Sequence, residues 1–310
     1  MMAHASPLIS VIIPTYRRQT EIQQCLASLT SQTYPQDRWE VVVVIDDDSE
    51  PLDPVLAEWS ERLPLRFTRQ PHAGCGIARN TGSSQARGRY LVFTDDDCIF
   101  PADWLSRYAE HFERTGDCVI AGRTVNALPY NPYCRASQVL QDYLLMHFNS
   151  CLDDAALAVG CNFGVPADGF RALGGFSAHY FQVAGAEDRD FSWRWREQGR
   201  RIVFAPDVVV HHAHRLTFAS FLRQHFNYGR GAWLLHSPPG PGVQNRPRLE
   251  DRRFYISLLL RPWVVSRGFS AARLFVLLVV SHAAHTTGYL WGLVARVGRR
   301  TRKSAIAHSR

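Results

Sequence analysis

The first part of the chain alternates between short apolar runs and stretches with helical spacing. Ile9–Ile13, Val41–Ile45 and Tyr90–Thr94 are mostly apolar runs, which predict buried strands. Apolar residues at 22, 25, 26 and 29 follow helical spacing, and similar patterns predict helices over 52–63 and 76–86 and a short strand over 65–68. This alternation predicts an α/β fold with an open, mixed but mainly parallel central sheet and flanking helices.

The later part of the chain continues this pattern and then changes character. We predict a helix over 191–198 and two short strands, over 201–204 and 208–210, on either side of Pro206. A loop over 237–247 contains four prolines and two glycines, which is typical of a boundary. We therefore expect an α/β domain over 1–220 and a helical, apolar C-terminal region over 221–310.

The net charge of +7 is unevenly distributed between these two regions. Residues 1–220 carry 20 basic and 26 acidic side chains, whereas residues 221–310 carry 15 basic and only 2 acidic ones. A main domain with a net charge of −6 argues against nucleic acid as its partner. The basic region instead predicts an anionic partner, of which a membrane surface is the first candidate.

The C-terminal region contains a long uncharged segment. Leu274–Val294 has no Asp, Glu, Lys or Arg over 21 residues, which as a helix would reach roughly 30 Å. Ser281, His282 and His285 lie near its middle and make it a marginal membrane span. We expect amphipathic or re-entrant helices that lie on the inner leaflet; an apolar helix packed on the main domain is the alternative.

The cysteines and the N-terminus indicate the compartment. None of the seven cysteines forms a C-x-x-C pair and their number is odd, which argues against a disulfide framework or a zinc knuckle. The first ten residues contain neither a basic segment nor a long apolar run, so no secretory signal is visible. We expect the main domain to lie in the cytoplasm, at the inner face of the cell membrane.

Two acidic clusters follow predicted strands. Asp46-Asp47-Asp48 ends one strand and Asp95-Asp96-Asp97 ends another, and ligands of open α/β sheets bind beyond the carboxyl ends of strands. Carboxylates at positions i and i+2 suit a hard divalent cation that also binds substrate phosphates. One isolated cluster would be explained by solvation, but two at the same sheet edge favour a cation site.

At these positions the sequence resembles the glycosyltransferases of family 2, which have the GT-A fold and invert the anomeric centre. The resemblance covers about residues 8–215 and rests on motifs in the family's order: Val11–Arg18, Val43–Ser49, Gly76–Gly82 and Asp95–Asp97, followed by the later motifs Gly174–Phe176 and Glu187–Phe191. It implies a Rossmann-like domain that binds a nucleotide sugar together with Mg²⁺ or Mn²⁺.

The resemblance also implies roles for individual residues. Asp95 and Asp97 match the outer positions of the D-x-D motif and would bind the metal ion. Asp188 matches the catalytic base, and Asn162 and Glu187 would contact the donor sugar or the acceptor. The nucleotide of the donor would contact Pro14, Thr15, Tyr16, Asp46, Asp47, Arg79, Asp95 and Asp96.

Acidic residues near position 188 also suit base chemistry on their own. Glu187, Asp188 and Asp190 would lie in the first turn of a helix, where the helix dipole favours ionised carboxylates. General base catalysis needs one such carboxylate next to the acceptor hydroxyl. We predict that Asp188 is this base and that Asp190 caps or orients; capping alone is the alternative.

Three histidines follow the strand predicted over 208–210. Alternation along an extended segment places His212 and His214 on one face and His211 on the other. His212 and His214 are therefore additional candidate metal or diphosphate ligands, whereas local hydrogen bonding at a strand end is the alternative.

These features predict a metal-dependent glycosyltransferase. It would transfer a sugar from a nucleotide sugar to a hydroxyl of a lipid-linked or cell-envelope glycan acceptor, in envelope polysaccharide biosynthesis. A nucleotidyltransferase and a non-catalytic sugar-nucleotide-binding protein are the alternatives. The segment Pro14–Arg18 lacks the glycines of a nucleotidyltransferase phosphate loop, and no Q-x-x-R-W motif of a processive synthase is present.

Overall fold

The computed structural model of the chain describes residues 8–49, 51–180, 185–237 and 249–307. Its contacts divide the chain into two compact units. The first unit comprises residues 1–129, 144–181 and 187–214, and the second comprises residues 130–143, 182–186 and 215–310. Of the predicted loop over 237–247, residues 238–247 lie outside the described residues.

An eight-stranded sheet forms the centre of the first unit. Four of its seven pairings between described strands are parallel, and the spatial order is β3-β2-β1-β4-β7-β6-β8-β5. This confirms the predicted mixed, mainly parallel sheet. The strands are β1 (Ile9–Thr15), β2 (Trp39–Ile45), β3 (Leu65–Arg69), β4 (Tyr90–Thr94), β5 (Cys98–Ile99), β6 (Val119–Asn126), β7 (Asn162–Pro166) and β8 (Ile202–His212).

Helices flank this sheet because its central strands are apolar on both faces. All residues of β1, β2 and β4 are buried, and alternate residues of β1 belong to two different apolar clusters. Each cluster excludes water only when helices cover it. The helices formed by this unit are α1 (Gln19–Leu29), α2 (Asp53–Ser60), α3 (Cys75–Gln85), α4 (Trp104–Thr115), α6 (Ala167–Ala172) and α7 (Glu187–Glu197), while α5 (Pro132–Phe148) has residues in both units.

The prediction of two short strands around Pro206 was wrong. Both belong to the single strand β8, whose pairing with β6 shifts register so that Gly122 faces Ala205 and Arg123 faces Val209. The bulge leaves Pro206 outside the ladder, where its missing N–H is not needed. The strand can therefore continue to His212, where its end pairs with Cys98 of β5.

The second unit is helical, as predicted for this region. Its helices include α8 (Phe218–His236), α9 (Arg252–Val265) and α10 (Gly268–Ala307). A Cβ atom placed on Gly229 of α8 would lie 1.9 Å from the His285 carbonyl oxygen of α10, so glycine allows these two backbones to touch. Within the described residues, one helix segment, Gly268–Ala295, has the length and the mean hydropathy (1.3) to cross a membrane.

Candidate active site

The acidic clusters lie at one edge of the sheet, as predicted. Strand β1 is parallel to both β2 and β4, so the chain leaves all three strands on the same side. The segment after β1 connects the two clusters directly: Arg17 pairs with Asp47, and Arg18 pairs with Asp96 and Asp97. The edge is therefore a network of charged side chains rather than a solvated turn.

Asp97 is the most enclosed carboxylate of this network, with 1% of its side chain exposed. His212 Nε2 lies 2.9 Å from its Oδ1, and His214 Nδ1 and Arg18 Nη2 lie 3.0 and 2.8 Å from its Oδ2. Burial opposes ionisation, but His212, His214 and Arg18 hold the pKa of Asp97 below its usual range. The carboxylate charge likewise raises the pKa of His212 against the effect of burial.

The histidines His211, His212 and His214 lie on two different sides of their segment. His212 and His214 both contact Asp97, whereas His211 is exposed, as alternation along an extended segment requires. Cys98 pairs with His212 across the antiparallel β5–β8 ladder. One ligand atom each from Asp97, Cys98 and His212 lie within 4.8 Å of one another.

The donor set at this place fits a divalent metal ion. Asp95 and Asp97 offer carboxylate oxygens and His212 and His214 offer imidazole nitrogens, which are ligands that first-row divalent metals accept. The Arg18 guanidinium, His212 and His214 all lie within 3.0 Å of the Asp97 carboxylate oxygens. A metal ion on Asp97 would therefore have to take a place that one or more of these groups now occupies.

Arg79 connects the D-x-D loop to the helix that carries the proposed base. Its Nη2 donates to Asp95 at 2.6 Å and its Nη1 donates to Glu187 at 3.2 Å, while only 3% of the side chain is exposed. A Cβ atom on Gly160 would lie 3.1 Å from Nη1, so the loop before β7 also packs on the guanidinium. Arg79 thus pairs with an aspartate of the D-x-D loop, and Glu187 is its second partner.

Asp188 lies in the first turn of α7 together with Glu187 and Asp190, as predicted. The backbone N–H of Gly160 donates to its Oδ2 at 3.0 Å, and that of Arg189 donates to its Oδ1 at 2.7 Å. Burial, followed by the charge of Glu187, raises the pKa of Asp188 to about 6. A carboxyl group with this pKa is mostly ionised at neutral pH and more basic than an ordinary aspartate, which suits a general base.

Asp190 has a different environment from its neighbour. Its carboxylate accepts hydrogen bonds from Tyr180 Oη at 3.2 Å and from Arg194 Nε at 2.7 Å. Arg194 also donates to the carbonyls of Leu173 and Gly175. Asp190 thus orients an arginine that holds the segment before α7.

The residues predicted to bind the nucleotide lie around the ends of β1 and β2. Tyr16 is 38% exposed and its ring stacks on that of His72, with centroids 4.2 Å apart. Thr15 donates to Asp96 at 2.9 Å. Pro14 is a buried residue of β1 opposite Val44, and its contact with the nucleotide stays a prediction.

The carboxylates of Asp46 and Asp47, which follow β2, accept hydrogen bonds from nearby loop residues. Asp46 accepts the N–H groups of Ala73 and Gly74, both at 2.8 Å, and fixes the turn that leads into α3. Asp47 accepts both the N–H and the hydroxyl of Ser49. These bonds, followed by the contact with Arg17, lower the pKa of Asp47 below its usual range.

Asp96, the middle residue of the second acidic cluster, is held by the segment that follows β1. Its side chain is 4% exposed and accepts hydrogen bonds from Thr15 Oγ1 and Arg18 Nη1. Burial raises the pKa of Asp96 to about 7, although the Arg18 charge opposes that shift. The middle residue of the cluster therefore points into the protein and holds the segment after β1.

Asn162 lies in a different place from the one expected. It is fully buried, and its oxygen accepts from Trp104 Nε1 and Tyr108 Oη while its Nδ2 donates to the carbonyls of Arg123 and Val208. These bonds use its hydrogen-bonding capacity and no side-chain surface is left for a sugar. We therefore assign Asn162 to the core between β6, β7, β8 and α4.

Sequence reasoning gave no role to Arg18. Its side chain donates to Asp96 and Asp97, both at 2.8 Å, and its Nη2 lies 3.4 Å from His214 Nδ1. The sequence did contain a signal for it: the basic pair Arg17-Arg18 follows β1, and both strands next to β1, which are β2 and β4, are followed by acidic clusters.

Comparison with known proteins adds independent evidence. A family model described as glycosyl transferase family 2 matches residues 10–174, which is more than half of the chain. Glycosyltransferase AglE of Haloferax volcanii is 29% identical over 240 residues, covering 76% of this chain and 77% of the relative. Succinoglycan biosynthesis protein ExoM of Rhizobium meliloti is 29% identical over 247 residues, with the same coverage of both chains.

Solved structures share the fold at lower sequence identity. The mannosyltransferase PcManGT of Pyrobaculum calidifontis, solved with GDP-Man and Mn²⁺, is 18% identical with a TM-score of 0.65, covering 93% of this chain and 87% of that one. Residues 1–349 of S. aureus TarS, solved with UDP-GlcNAc, are 19% identical with a TM-score of 0.52, covering 94% and 92%. These likenesses confirm the GT-A fold predicted from the sequence.

Proposed function

The chain belongs to glycosyl transferase family 2, and on that premise we propose that it transfers a sugar from a nucleoside-diphosphate sugar to a hydroxyl of a lipid-linked or cell-envelope glycan, with inversion of the anomeric centre. The names of two relatives support a role in glycan assembly, since one is a glycosyltransferase and another a succinoglycan biosynthesis protein. The family assignment favours glycosyl transfer over the nucleotidyl transfer considered above.

One observation carries this proposal. A continuous chain of ionic contacts runs from the D-x-D loop through Arg79 to the first turn of α7, where Asp188 follows Glu187. It fixes the proposed metal-binding loop and the proposed base in one unit of the protein. A donor held at the loop and an acceptor hydroxyl at Asp188 would therefore meet in a defined orientation.

The proposed roles follow from these positions. Asp95 and Asp97, with His212 and His214, would hold Mn²⁺ or Mg²⁺, and the bound ion would offset the charge of the departing diphosphate. Thr15, Tyr16, Asp46, Asp47, Arg79 and Asp96 would form or support the nucleotide pocket, with the exposed Tyr16 ring as the surface for the base. Glu187 would orient Arg79 next to the donor.

Asp188 would accept the proton of the acceptor hydroxyl. The hydroxyl oxygen forms a bond to the anomeric carbon while the bond from that carbon to the diphosphate oxygen breaks on the opposite face. A single displacement of this kind inverts the configuration. The Gly160 and Arg189 N–H groups hold the Asp188 carboxylate in place before the proton transfer.

A panel of nucleotides tests the donor class. We expect UDP or GDP with Mn²⁺ to raise the melting temperature by several degrees, because a ligand that binds only the folded protein stabilises it. The same nucleotide without metal ion should give a much smaller shift, and the matching nucleotide sugar should be slowly hydrolysed. Stabilisation by none of the common nucleoside diphosphates, in the presence of either Mn²⁺ or Mg²⁺, would contradict the proposal.

We further propose that residues 221–310 attach the enzyme to the cytoplasmic face of the membrane. The helices of the second unit expose many large apolar side chains: Tyr255, Ile256, Leu260, Trp263, Val264, Val265, Phe269, Val276, Val279, Leu290, Trp291, Leu293 and Val294. Exposed apolar surface combined with the basic excess of this region is typical of segments that lie on anionic lipid.

Vesicle flotation tests this attachment. The protein should float with vesicles that contain phosphatidylglycerol, and Trp263→Ser together with Trp291→Ser should weaken this binding because the two rings are about half exposed. The variant Tyr130→Ser, which removes an exposed ring outside α9 and α10, serves as the control. Wild-type protein that remains soluble beside both anionic and neutral vesicles would contradict attachment.

A further inference from the structure

The guanidinium of Arg18 binds the carboxylates of the D-x-D loop. Its Nη1 donates to Asp96 Oδ1 and its Nη2 to Asp97 Oδ2, both at 2.8 Å. About a third of the Arg18 side chain is exposed, at 32%, although both carboxylates are almost completely buried. Arg18 is therefore anchored by ion pairs at its guanidinium although part of its side chain is exposed.

Arg18 and His214 share one oxygen of Asp97. His214 Nδ1 lies 3.0 Å from the same Oδ2 that accepts from Arg18, whereas His212 Nε2 lies 2.9 Å from Oδ1. An imidazole nitrogen can bind a metal ion through its lone pair, whereas a guanidinium has no lone pair to offer and stays charged. A divalent cation on Asp97 would also repel the adjacent positive charge. Of these three partners, Arg18 is the one that has to leave.

A second arginine in the site cannot respond in this way. Arg79 is held between Asp95 and Glu187, and only 3% of its side chain is exposed. Arg18, by contrast, has about a third of its side chain exposed, at 32%, and is not enclosed on all sides. The planar fork of an arginine matches the oxygens of a phosphate as well as those of a carboxylate.

We propose that Arg18 is a counter-cation that occupies the metal-binding carboxylate in the empty enzyme and moves to the diphosphate of the donor when metal ion and donor bind. This inference rests on the proposed function. Arg18 is then a positioning residue. It weakens the binding of a metal ion when no nucleotide is present, and it stabilises the complex that contains both the metal ion and the donor. The metal ion and the nucleotide then bind together more readily than either alone.

Mn²⁺ titration followed by electron paramagnetic resonance tests this proposal. Without nucleotide, Arg18→Gln should bind Mn²⁺ about tenfold more tightly than the wild type, because a competing positive charge is gone. With Mn²⁺ present, the same variant should bind UDP or GDP, whichever the wild type prefers, at least about fivefold more weakly. Arg17→Gln is the matched control: it removes a neighbouring charge that pairs with Asp47, and its affinity for free Mn²⁺ should remain close to that of the wild type.

The two measurements separate this proposal from the proposed function. If folded Arg18→Gln binds Mn²⁺ no more tightly than the wild type, the proposed role of Arg18 is overturned. If the wild type binds Mn²⁺ and Asp97→Asn does not, the proposed metal site is still supported. Wild-type protein that binds no Mn²⁺ either with or without a nucleoside diphosphate overturns both. If Arg18→Gln does not fold, Arg18→Lys keeps the charge but loses the fork, and it should retain wild-type affinity for Mn²⁺ while binding the nucleoside diphosphate more weakly.

Discussion

Asp188→Asn is expected to lower kcat by about two to four orders of magnitude, the usual contribution of a general base. Donor binding should stay close to that of the wild type, because the carboxylate contacts two backbone N–H groups of the protein and an amide oxygen can accept one of them. The matched variant Asp190→Asn removes a carboxylate two residues away that binds Tyr180 and Arg194, and it should keep kcat within a few-fold. Wild-type turnover by Asp188→Asn would exclude Asp188 as the base.

The pH dependence of the wild type provides a second measurement on Asp188. Because its pKa is raised to about 6, kcat/KM should be constant above that pH and fall about tenfold per unit below it, as the base becomes protonated. The residual activity of Asp188→Asn should lack this acid limb. An identical acid limb in the variant would assign the titration to another group.

The same pKa shift predicts the sign of the stability change. A carboxyl group whose pKa is higher in the folded than in the unfolded state binds its proton more tightly when folded, so its ionisation destabilises the protein as pH rises from about 4 to 6. Asp188→Asn removes this cost. We therefore expect the variant to melt at or above the wild-type temperature at pH 7, so its loss of turnover cannot be attributed to unfolding.

Asp97→Asn is expected to abolish metal-dependent transfer, with a loss of about three orders of magnitude in kcat. Stabilisation of the departing diphosphate by a bound ion contributes several kcal/mol, and an amide lacks the charge that holds the ion. The variant keeps the shape of the side chain but leaves Arg18 and His212 without their counter-charge. Donor-induced stabilisation in the presence of Mn²⁺ should disappear together with turnover.

Asp48→Asn is the control for Asp97→Asn. Asp48 belongs to the other acidic cluster and is exposed, so the substitution removes one acidic charge at the same sheet edge without reaching the proposed ligands. Its kcat and its response to Mn²⁺ should match those of the wild type. A variant Asp97→Asn that retains full, Mn²⁺-dependent activity would exclude Asp97 as a metal ligand.

The local elements of the first domain could be predicted because each depends on residues close together in the chain. Continuous apolar runs such as Val41–Ile45 and Tyr90–Thr94 are buried on both faces, and the acidic residues that follow them lie at one sheet edge because the strands are parallel. Alternation along the extended segment that ends β8 and continues to His214 separated His211 from His212 and His214. The bulge at Pro206 was missed because it depends on the partner strand β6.

By itself, the sequence determined the type of fold, the sheet edge at which the two acidic clusters lie and the residue types available there, since periodicity and the residues of each motif are local properties. Only the tertiary structure decided which side chains meet. Arg79 joins Asp95 to Glu187, which lies 108 positions further along the chain, and Arg18 reaches Asp97 across 79 positions. Asn162, which the family resemblance places next to the donor sugar or the acceptor, lies in the core, where its oxygen accepts hydrogen bonds from Trp104 and Tyr108 of α4. A buried polar group forms hydrogen bonds with the groups that tertiary packing places next to it. The spacing of residues along the chain does not specify which groups these are.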